Sequence, residues 1–202
     1  QPIYTLILSS AASFVYKRHV YESTEVGIKW DISPGLSFTA SYFDSEQTIA
    51  TRDSDTGENS EIVGLQVDGI ELELKGQVTE KLSLAIGSSD LDGETAKGGE
   101  PREIPEYTAS LWATYEVSDR FGLGLGITSQ GESNIKNDKP GLILPDYTRV
   151  DFAAYYDLAD DLSIQLNVEN VTDELYFPHS HSTHQASVGE PLNARISLRK
   201  TF

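Results

Sequence analysis

Residues 193–202 read NARISLRKTF, and this terminal stretch decides the fold that we predict for the whole chain. One face of an extended segment would carry Ala194, Ile196, Leu198, Lys200 and Phe202, and the other would carry Asn193, Arg195, Ser197, Arg199 and Thr201. Only a period of two separates a mostly apolar set from a cationic and polar set in this way, so we predict a β-strand. A strand between lipid and a wet lumen has this pattern. An edge strand of a soluble β-sandwich is the alternative that this segment alone leaves open.

The composition excludes cysteine-dependent sites and argues against a nucleic-acid-binding protein. The chain has 202 residues, no cysteine, and 32 acidic against 15 basic side chains, for a net charge of -17. Without cysteine it has no disulfide framework, no thiolate metal site and no cysteine nucleophile. Nucleic acid is not an expected partner, because phosphate binding needs basic patches that this acidic chain lacks.

The most apolar run, residues 3–16, is too short to cross a bilayer as a helix. Tyr4, Leu6 and Leu8 alternate with Thr5 and Ser9, which predicts a strand instead. The run also lacks the basic start of a signal peptide. We therefore expect that the natural gene product begins upstream of this sequence.

Connections between about ten predicted strands alternate between long and short, and this is the most informative feature of the sequence. Short turns are predicted at residues 33–35, 79–81, 118–120 and 158–161, and the polar connections at residues 15–21, 50–60, 91–106, 131–146 and 172–192. Transmembrane β-barrels have short periplasmic turns and longer extracellular loops. Strands of about ten residues suit a tilted bilayer crossing, whereas strands of soluble domains are commonly five or six residues long. The pattern predicts an all-β, antiparallel transmembrane β-barrel.

Four segments carry a resemblance to a known family. They are EVGIK at residues 25–29, VDGIELE at 67–73, NVENVTDELY at 167–176, and Gly189-Glu190-Pro191 followed by Arg195 and the terminal Phe202. In this order they resemble the C-terminal part of a TonB-dependent outer-membrane receptor, most closely the ferric-siderophore branch. In the last segment, the arginine is displaced by three places from the family's pattern.

The same motifs have structural explanations. Asn170, Thr172 and Asp173 can bond neighbouring backbone groups where a strand leaves the sheet. Gly69 permits a bulge or a close approach of two strands. For Phe202, the resemblance implies recognition by the barrel-assembly machinery.

The resemblance implies about the last ten strands of a 22-stranded barrel with a plugged lumen in the bacterial outer membrane. Residues 1–202 would be the C-terminal segment of the barrel domain, and the plug, the TonB box and the first strands would lie outside this sequence. Two unpaired sheet edges in lipid are prohibitive, so a half barrel cannot stand alone. A complete ten-stranded barrel is the remaining case.

The implied function is import of a ferric siderophore or a similar metal chelate, driven through the TonB system. Ligand contacts are expected from loop side chains that offer aromatic surface, imidazole or positive charge. These candidates are Arg52, Tyr107, Tyr176, Phe177, His179, His181 and His184. The three histidines can also bind a transition metal, but their spacing is not that of a specific site, so we predict no metal site and no cofactor.

Two other classes of protein stay open. No nucleophile elbow, P-loop or HExxH motif is present, so we predict no enzymatic activity. A small self-contained outer-membrane barrel, acting as an enzyme or a pore, would need a cluster of reactive side chains at one rim or an open lumen. A soluble β-rich binding module would bury the apolar faces and would need no detergent.

Overall fold

The computed structural model describes residues 3–12, 19–52 and 59–202, and all of their regular structure is β-strand. The strands are β1 (Ile3–Ala12), β2 (His19–Ser33), β3 (Leu36–Arg52), β4 (Asn59–Gln77), β5 (Leu82–Thr95), β6 (Tyr107–Ser118), β7 (Phe121–Gln130), β8 (Ser133–Asn134), β9 (Ile143–Leu144), β10 (Tyr147–Ala159), β11 (Leu162–Glu169), β12 (His179–Ser182), β13 (Gln185–Ser187) and β14 (Asn193–Lys200). Across this part of the chain, no helix is long and apolar enough to cross a membrane.

Ten strands form one antiparallel sheet in the order β1-β2-β3-β4-β5-β6-β7-β10-β11-β14. Each long strand therefore pairs with its neighbours along the chain, as in a meander of hairpins. In one row across the sheet, Ile28 pairs with Ala40, Ala40 with Leu72, and Leu72 with Ser88. The four remaining strands form two small pairs, β8–β9 and β12–β13.

The sheet has an apolar face, and none of the described residues forms a second layer over it. Ile70 is 51% exposed, Ile196 is 70% exposed, and Leu125 is 42% exposed. On the other face, β4 presents Glu71 and Glu73, which alternate with the apolar side chains. An apolar face of this extent is unfavourable in water, and a wall between lipid and a polar lumen has this arrangement.

The predicted hairpins and turns are confirmed, but several predicted boundaries are wrong. The predicted connection 15–21 is wrong at its end, because β2 begins at His19. The predicted loop 91–106 is wrong at its start, because β5 continues to Thr95, which is paired with β4. Backbone pairing continues past the apolar belt, so polar side chains do not mark the end of a strand.

Three further predicted boundaries also shift. The predicted loop 50–60 is wrong at both ends, since Arg52 still pairs with Asn59; residues 53–58 lie outside the described part. Strand β1 is confirmed to Ala12, and its predicted continuation to residue 16 also lies outside that part. Strand β11 ends at Glu169, so the last loop begins at residue 170. The small pairs β8–β9 and β12–β13 lie within segments that the sequence predicted as loops.

Alternation of long and short connections is confirmed, and it places the long loops at one end of the sheet. We name residues 96–106 loop A, residues 131–146 loop B and residues 170–192 loop C, after their positions between β5 and β6, β7 and β10, and β11 and β14. The opposite end carries the short turns. We call these the loop end and the turn end of the sheet.

Gly69 marks a close approach between β4 and β5, as the sequence predicted. A Cβ atom at this position would lie 2.5 Å from the carbonyl oxygen of Asp90 and 2.7 Å from the side chain of Leu91. Pairing passes through Gly69 without a register shift, so the residue provides close approach rather than a bulge.

Candidate functional site

Loops A and B are joined by hydrogen bonds that backbone amides of both loops donate. The amide of Glu103 donates to the carbonyl of Asn134 at 2.8 Å, and the amide of Arg102 donates to Oδ1 of Asn137 at 2.7 Å. The amide of Asp138 donates to the carbonyl of Glu100 at 3.1 Å. These bonds fix the two loops to each other as one layer at the loop end.

Carboxylates of the two loops act as acceptors within this layer. The hydroxyl of Thr95 donates to Asp138, and the side-chain amide of Asn134 donates to Glu100. Asn134 is only 6% exposed. Buried polar groups need hydrogen-bond partners, and these pairs supply them.

Loop C is attached to loop A at Ser180. The backbone amide of Ser180 donates to Oε1 of Glu103 at 2.7 Å, and its hydroxyl donates to the same oxygen at 3.2 Å. Nη2 of Arg102 donates to the carbonyl of Ser180 at 3.0 Å and forms an ion pair of 2.8 Å with Oε2 of Glu103. Two adjacent side chains thus hold both backbone groups of one residue.

Electrostatics at Glu103 favour its charged form. Partial burial raises the pKa of this carboxyl, but the hydrogen bond from the Ser180 amide and the neighbouring Arg102 guanidinium lower it, and the net pKa lies below the ordinary value of 4.5. Glu103 is therefore ionised at neutral pH and bonds Ser180 with charge-assisted hydrogen bonds.

Asn170 closes the base of loop C. Its side chain is fully buried, and its amide donates to the carbonyls of Glu174 at 2.9 Å and Glu190 at 3.0 Å. Its Oδ1 accepts the amide of Glu174 at 2.9 Å. Asn170 and Asp173 have positive φ angles of 53° and 51°, a region that asparagine and aspartate enter more readily than most residues.

The structural roles predicted for this motif are confirmed for Asn170 and Asp173. Oδ1 of Asp173 accepts the amide of Leu192 at 3.0 Å, which ties the start of loop C to its end. The role predicted for Thr172, which is exposed, stays a prediction.

Tyr176, in the first part of loop C, is buried and packs against β10. Its ring is centred 4.6 Å from the ring of Tyr147, and Nη1 of Arg149 donates to its hydroxyl at 3.1 Å. Arg149 in turn forms an ion pair of 2.8 Å with Asp151, whose Oδ1 accepts the amide of Asn170 at 2.9 Å. The network joins the wall of the sheet to the base of the loop.

The predicted ligand residues of loop C divide into buried and accessible ones. Tyr176 is only 6% exposed, so little of its surface is available to a ligand. Phe177 is half-buried, and His179, His181 and His184 are exposed on or beside the β12–β13 hairpin. Their contact with a ligand stays a prediction.

The other two candidates lie elsewhere. Tyr107 begins β6, is 39% exposed and pairs with Asp90. By alternation it shares the apolar face of the sheet with Leu111. Arg52 ends β3, several strands away from loop C in the sheet. The predicted set is therefore not one cluster.

Histidines of loop C do not form a metal site of three or more ligands. Within the described residues, no group of three His, Cys, Asp or Glu side chains is arranged to hold a metal ion. Nε2 of His179 lies 2.9 Å from the hydroxyl oxygen of Ser187, its cross-strand partner.

Phe202 is fully exposed at the turn end, next to the last strand. The amide of Thr201 donates to the carbonyl of Asp161 at 2.9 Å, and Lys200 forms an ion pair of 2.8 Å with the Asp161 carboxylate. The terminus is thus held on the turn between β10 and β11, and its side chain is accessible.

Sequence reasoning missed Arg102, Glu103, Arg149 and Asp151. The Arg149–Asp151 pair had a signal, since residues two apart on a strand share a face and bear opposite charges. Arg102 and Glu103 had none, because their partner Ser180 is 78 and 77 residues away along the chain, respectively.

Comparison with known proteins adds a family match. The family model described as "TonB dependent receptor-like, beta-barrel" matches residues 22–171, which is more than half of the chain. A probable TonB-dependent siderophore receptor PiuA of Acinetobacter baumannii is 27% identical over 88% of this chain and 26% of its own length. A ferrioxamine receptor of Yersinia enterocolitica is 30% identical over 100% of this chain and 30% of its own length.

Solved structures agree in fold. The crystal structure of PiuA from Acinetobacter baumannii matches with a TM-score of 0.74 and 28% identity, over 88% of this chain and 28% of that one. The open form of the ferric-catecholate import receptor Fiu from Escherichia coli K12 matches with a TM-score of 0.81 and 21% identity, over 98% of this chain and 28% of that one. This chain spans between a quarter and a third of the length of these relatives.

Proposed function

This chain belongs to the TonB-dependent receptor family and forms part of the wall of an outer-membrane β-barrel, and from this we propose that the whole protein imports a ferric siderophore or a similar metal chelate. The family match over residues 22–171 carries the proposal. Relatives named as siderophore and ferrioxamine receptors support the substrate class. The family consists of receptors, and we propose that this protein transports its ligand without changing it chemically.

In this proposal the sheet is one section of a 22-stranded barrel with a plug in the lumen. Strands β1 and β14 are the two edges of the ten-stranded sheet. Unpaired backbone groups at such edges are prohibitive in lipid, so the first part of the barrel would pair with both. The exposed apolar side chains, such as Ile70 and Ile196, would contact outer-membrane lipid.

Ligand contact would come from the accessible side chains of loop C. Phe177 offers aromatic surface, and His179, His181 and His184 offer imidazole donors. Tyr176 would mainly support these residues from below, because it is buried against Tyr147 and Arg149. Tyr107 and Arg52 remain candidates at the loop end, on other strands.

Two further partners follow from the family. Energy would arrive from the TonB system through the part of the protein that precedes this chain. The barrel-assembly machinery would read β14 and the exposed Phe202.

Of the alternatives, a soluble β-rich module is wrong, because the family is an outer-membrane barrel family. A self-contained small barrel differs from our proposal in mass. The intact mass of the protein purified from its native membrane in detergent separates the two: several-fold above 22.2 kDa supports the receptor, and a mass near that value overturns it.

Transport is tested in cells that lack the gene, complemented with the wild-type gene. We expect uptake of ⁵⁵Fe supplied as ferrioxamine B or as a ferric catecholate chelate to be restored by the gene and abolished by a protonophore or by loss of TonB. If correctly inserted protein takes up neither chelate, the proposal that it imports these two kinds of ferric siderophore is overturned. Restored uptake that is independent of TonB would overturn the mechanism.

A further inference from the structure

We propose that Arg102 and Glu103 form a latch that holds the β12–β13 hairpin over the loop end, and that release of this latch admits the ligand. The inference rests on the proposed function for its last step. The latch itself is a contact between loops A and C, and it is tested without ligand.

The grip of the latch is on the backbone of one residue. Glu103 accepts from the amide and the hydroxyl of Ser180, and Arg102 donates to the Ser180 carbonyl. One ion pair thus supplies an acceptor for the Ser180 amide and a donor for its carbonyl. A neighbouring strand supplies the same two groups to a residue at the edge of a sheet. Ser180 is only 3% exposed, while His179 and His181 on either side are exposed.

Latch residues hold two loops by different parts of their structure. The backbone amides of Arg102 and Glu103 bond loop B, at Asn137 and Asn134. Their side chains bond loop C, at Ser180. A change of side chain therefore frees loop C while the layer formed by loops A and B stays intact.

The hairpin is suited to move as a separate unit. Strands β12 and β13 pair with each other and are not part of the ten-stranded sheet. The base of loop C is fixed independently, since Asn170 bonds Glu174 and Glu190. If the hairpin moves while Glu174 and Glu190 stay bonded to Asn170, the bonds at Ser180 break and the wall of the sheet is unchanged.

The latch is also weak enough to open. Side chains of Arg102 and Glu103 are 42% and 32% exposed, and ion pairs that are reached by water are partly screened. A fully buried pair would hold the hairpin closed, whereas this one allows a minor open population.

The first test measures hydrogen exchange of residues 179–187 in the intact protein in detergent, without ligand. We expect Glu103→Ala to speed exchange of the Ser180 amide roughly tenfold or more, the ratio that corresponds to loss of a charge-assisted hydrogen bond. Exchange in loops A and B should not change. Thr95→Val is the matched control: it removes the hydroxyl that donates to Asp138 in loop B, a bond that involves neither Arg102 nor Glu103, and should leave residues 179–187 as in the wild type.

Exchange of Ser180 that is unaltered in Glu103→Ala, in protein with the heat-modifiable mobility of a folded barrel, would overturn the latch. Arg102→Ala provides an independent second variant. It removes the bond to the Ser180 carbonyl and the ion pair with Glu103, but it leaves the Glu103 oxygen that accepts from the Ser180 amide, so it should give a smaller increase at the same amide.

A second test locks the hairpin. This chain has no cysteine, so the pair Arg102→Cys and Ser180→Cys can be bridged with a short, reducible bis-methanethiosulfonate. We expect the bridge to lower binding of a ⁵⁵Fe-chelate at least tenfold, and a reductant to restore it. The control pair Ser182→Cys and Gln185→Cys, cross-strand partners within the hairpin, should bind the chelate with or without its bridge.

Each outcome has one meaning. Equal chelate binding by the bridged and reduced latch pair overturns the gating role, whatever the exchange result. Absence of chelate binding by the wild type is a failure of the proposed function, while the exchange test still decides whether the latch exists.

Discussion

The side-chain amide of Asn170 lies 3.0 Å from the backbone carbonyl of Glu190, and this hydrogen bond joins the two ends of loop C across twenty residues. The same side chain bonds both backbone groups of Glu174. Strands β11 and β14 are paired, so the loop leaves and re-enters the sheet at neighbouring points, and one buried side chain ties its base there. Loop C can therefore vary at its tip while its base stays fixed on β10, β11 and β14.

We expect Asn170→Ala to open the base of loop C. The substitution leaves the amide of Glu174 and two carbonyls without their partner and places alanine at a φ of 53°. Such losses cost roughly 2–3 kcal/mol. The measurement is the rate of protease cleavage within residues 171–192, which should rise at least tenfold. Asn193→Ala, which removes one bond to the carbonyl of Pro191, is the control, and equal cleavage of both variants would contradict the prediction.

Gly189→Ala should displace Tyr176. A Cβ atom at position 189 would lie 2.2 to 2.4 Å from the Tyr176 ring, so the ring or the loop must move. Overpacking of this kind costs about 1–3 kcal/mol. We expect faster exchange of the Gly189 amide, which donates to the Tyr176 carbonyl at 2.8 Å. Val188→Ala, at an exposed neighbouring position, should leave this exchange unchanged, and no effect of Gly189→Ala would show that the ring is free to shift.

Trp112 should report substitutions in the glycine-rich strand β7. A Cβ atom at Gly124 would lie 2.9 Å from the Trp112 ring and 3.1 Å from the Cβ of Ala153, a fully buried residue. Gly124→Ala is therefore expected to shift the tryptophan emission spectrum and to lower the temperature of unfolding. Gly122→Ala, whose nearest neighbour would be 3.6 Å away, is the control. If Gly124→Ala and Gly122→Ala have the same tryptophan emission spectrum, Trp112 is not closely packed against Gly124.

We expect substitutions of Phe177 and Tyr176 to differ in their effects on ligand binding and on the stability of loop C. Phe177→Ala removes half-exposed aromatic surface and should weaken binding of the ⁵⁵Fe-chelate without changing protease resistance of loop C. Tyr176→Ala removes a buried ring and the partner of Arg149, so it should weaken both chelate binding and the protease resistance of loop C. Titration with the labelled chelate, alongside the protease assay, checks this. Wild-type affinity in Phe177→Ala would exclude that residue from the ligand site.

Acidification should release the hairpin only below the ordinary pKa of a glutamate. The pKa of Glu103 is lowered below 4.5 in the folded protein, so its contribution is fully present above 4.5 and is lost as the pH falls through the lowered value. A nitroxide at His184→Cys should show an unchanged spectrum from pH 7.5 to 4.5 and greater mobility below that. The same label in Glu103→Gln should show no transition in this range. A transition in wild type above pH 4.5 would show that the hairpin is held by a group other than Glu103.

Strand order, hairpins and the two faces of the sheet could be predicted from the sequence, because all depend on a local pattern. Alternation from Ala194 to Lys200 needs only a period of two, and the turn at residues 33–35 needs only proline and glycine in place, whereas the predicted continuation of the last strand to Phe202 is wrong because β14 ends at Lys200. Strand ends could not be predicted in the same way. Strand β5 runs to Thr95 because the edge of β4 offers backbone partners, a property that polar side chains do not reveal.

What the sequence by itself determined is thus the antiparallel wall, the family to which it belongs and the structural nature of the Asn170 motif. Only the tertiary structure decided that Tyr176 is buried, that the predicted ligand residues are divided among strands, and that Arg102 and Glu103 hold Ser180. The physical reason is distance along the chain. Contacts between loops join residues that are up to 78 positions apart, and neither period nor propensity relates such residues until the sheet brings the loops to one end.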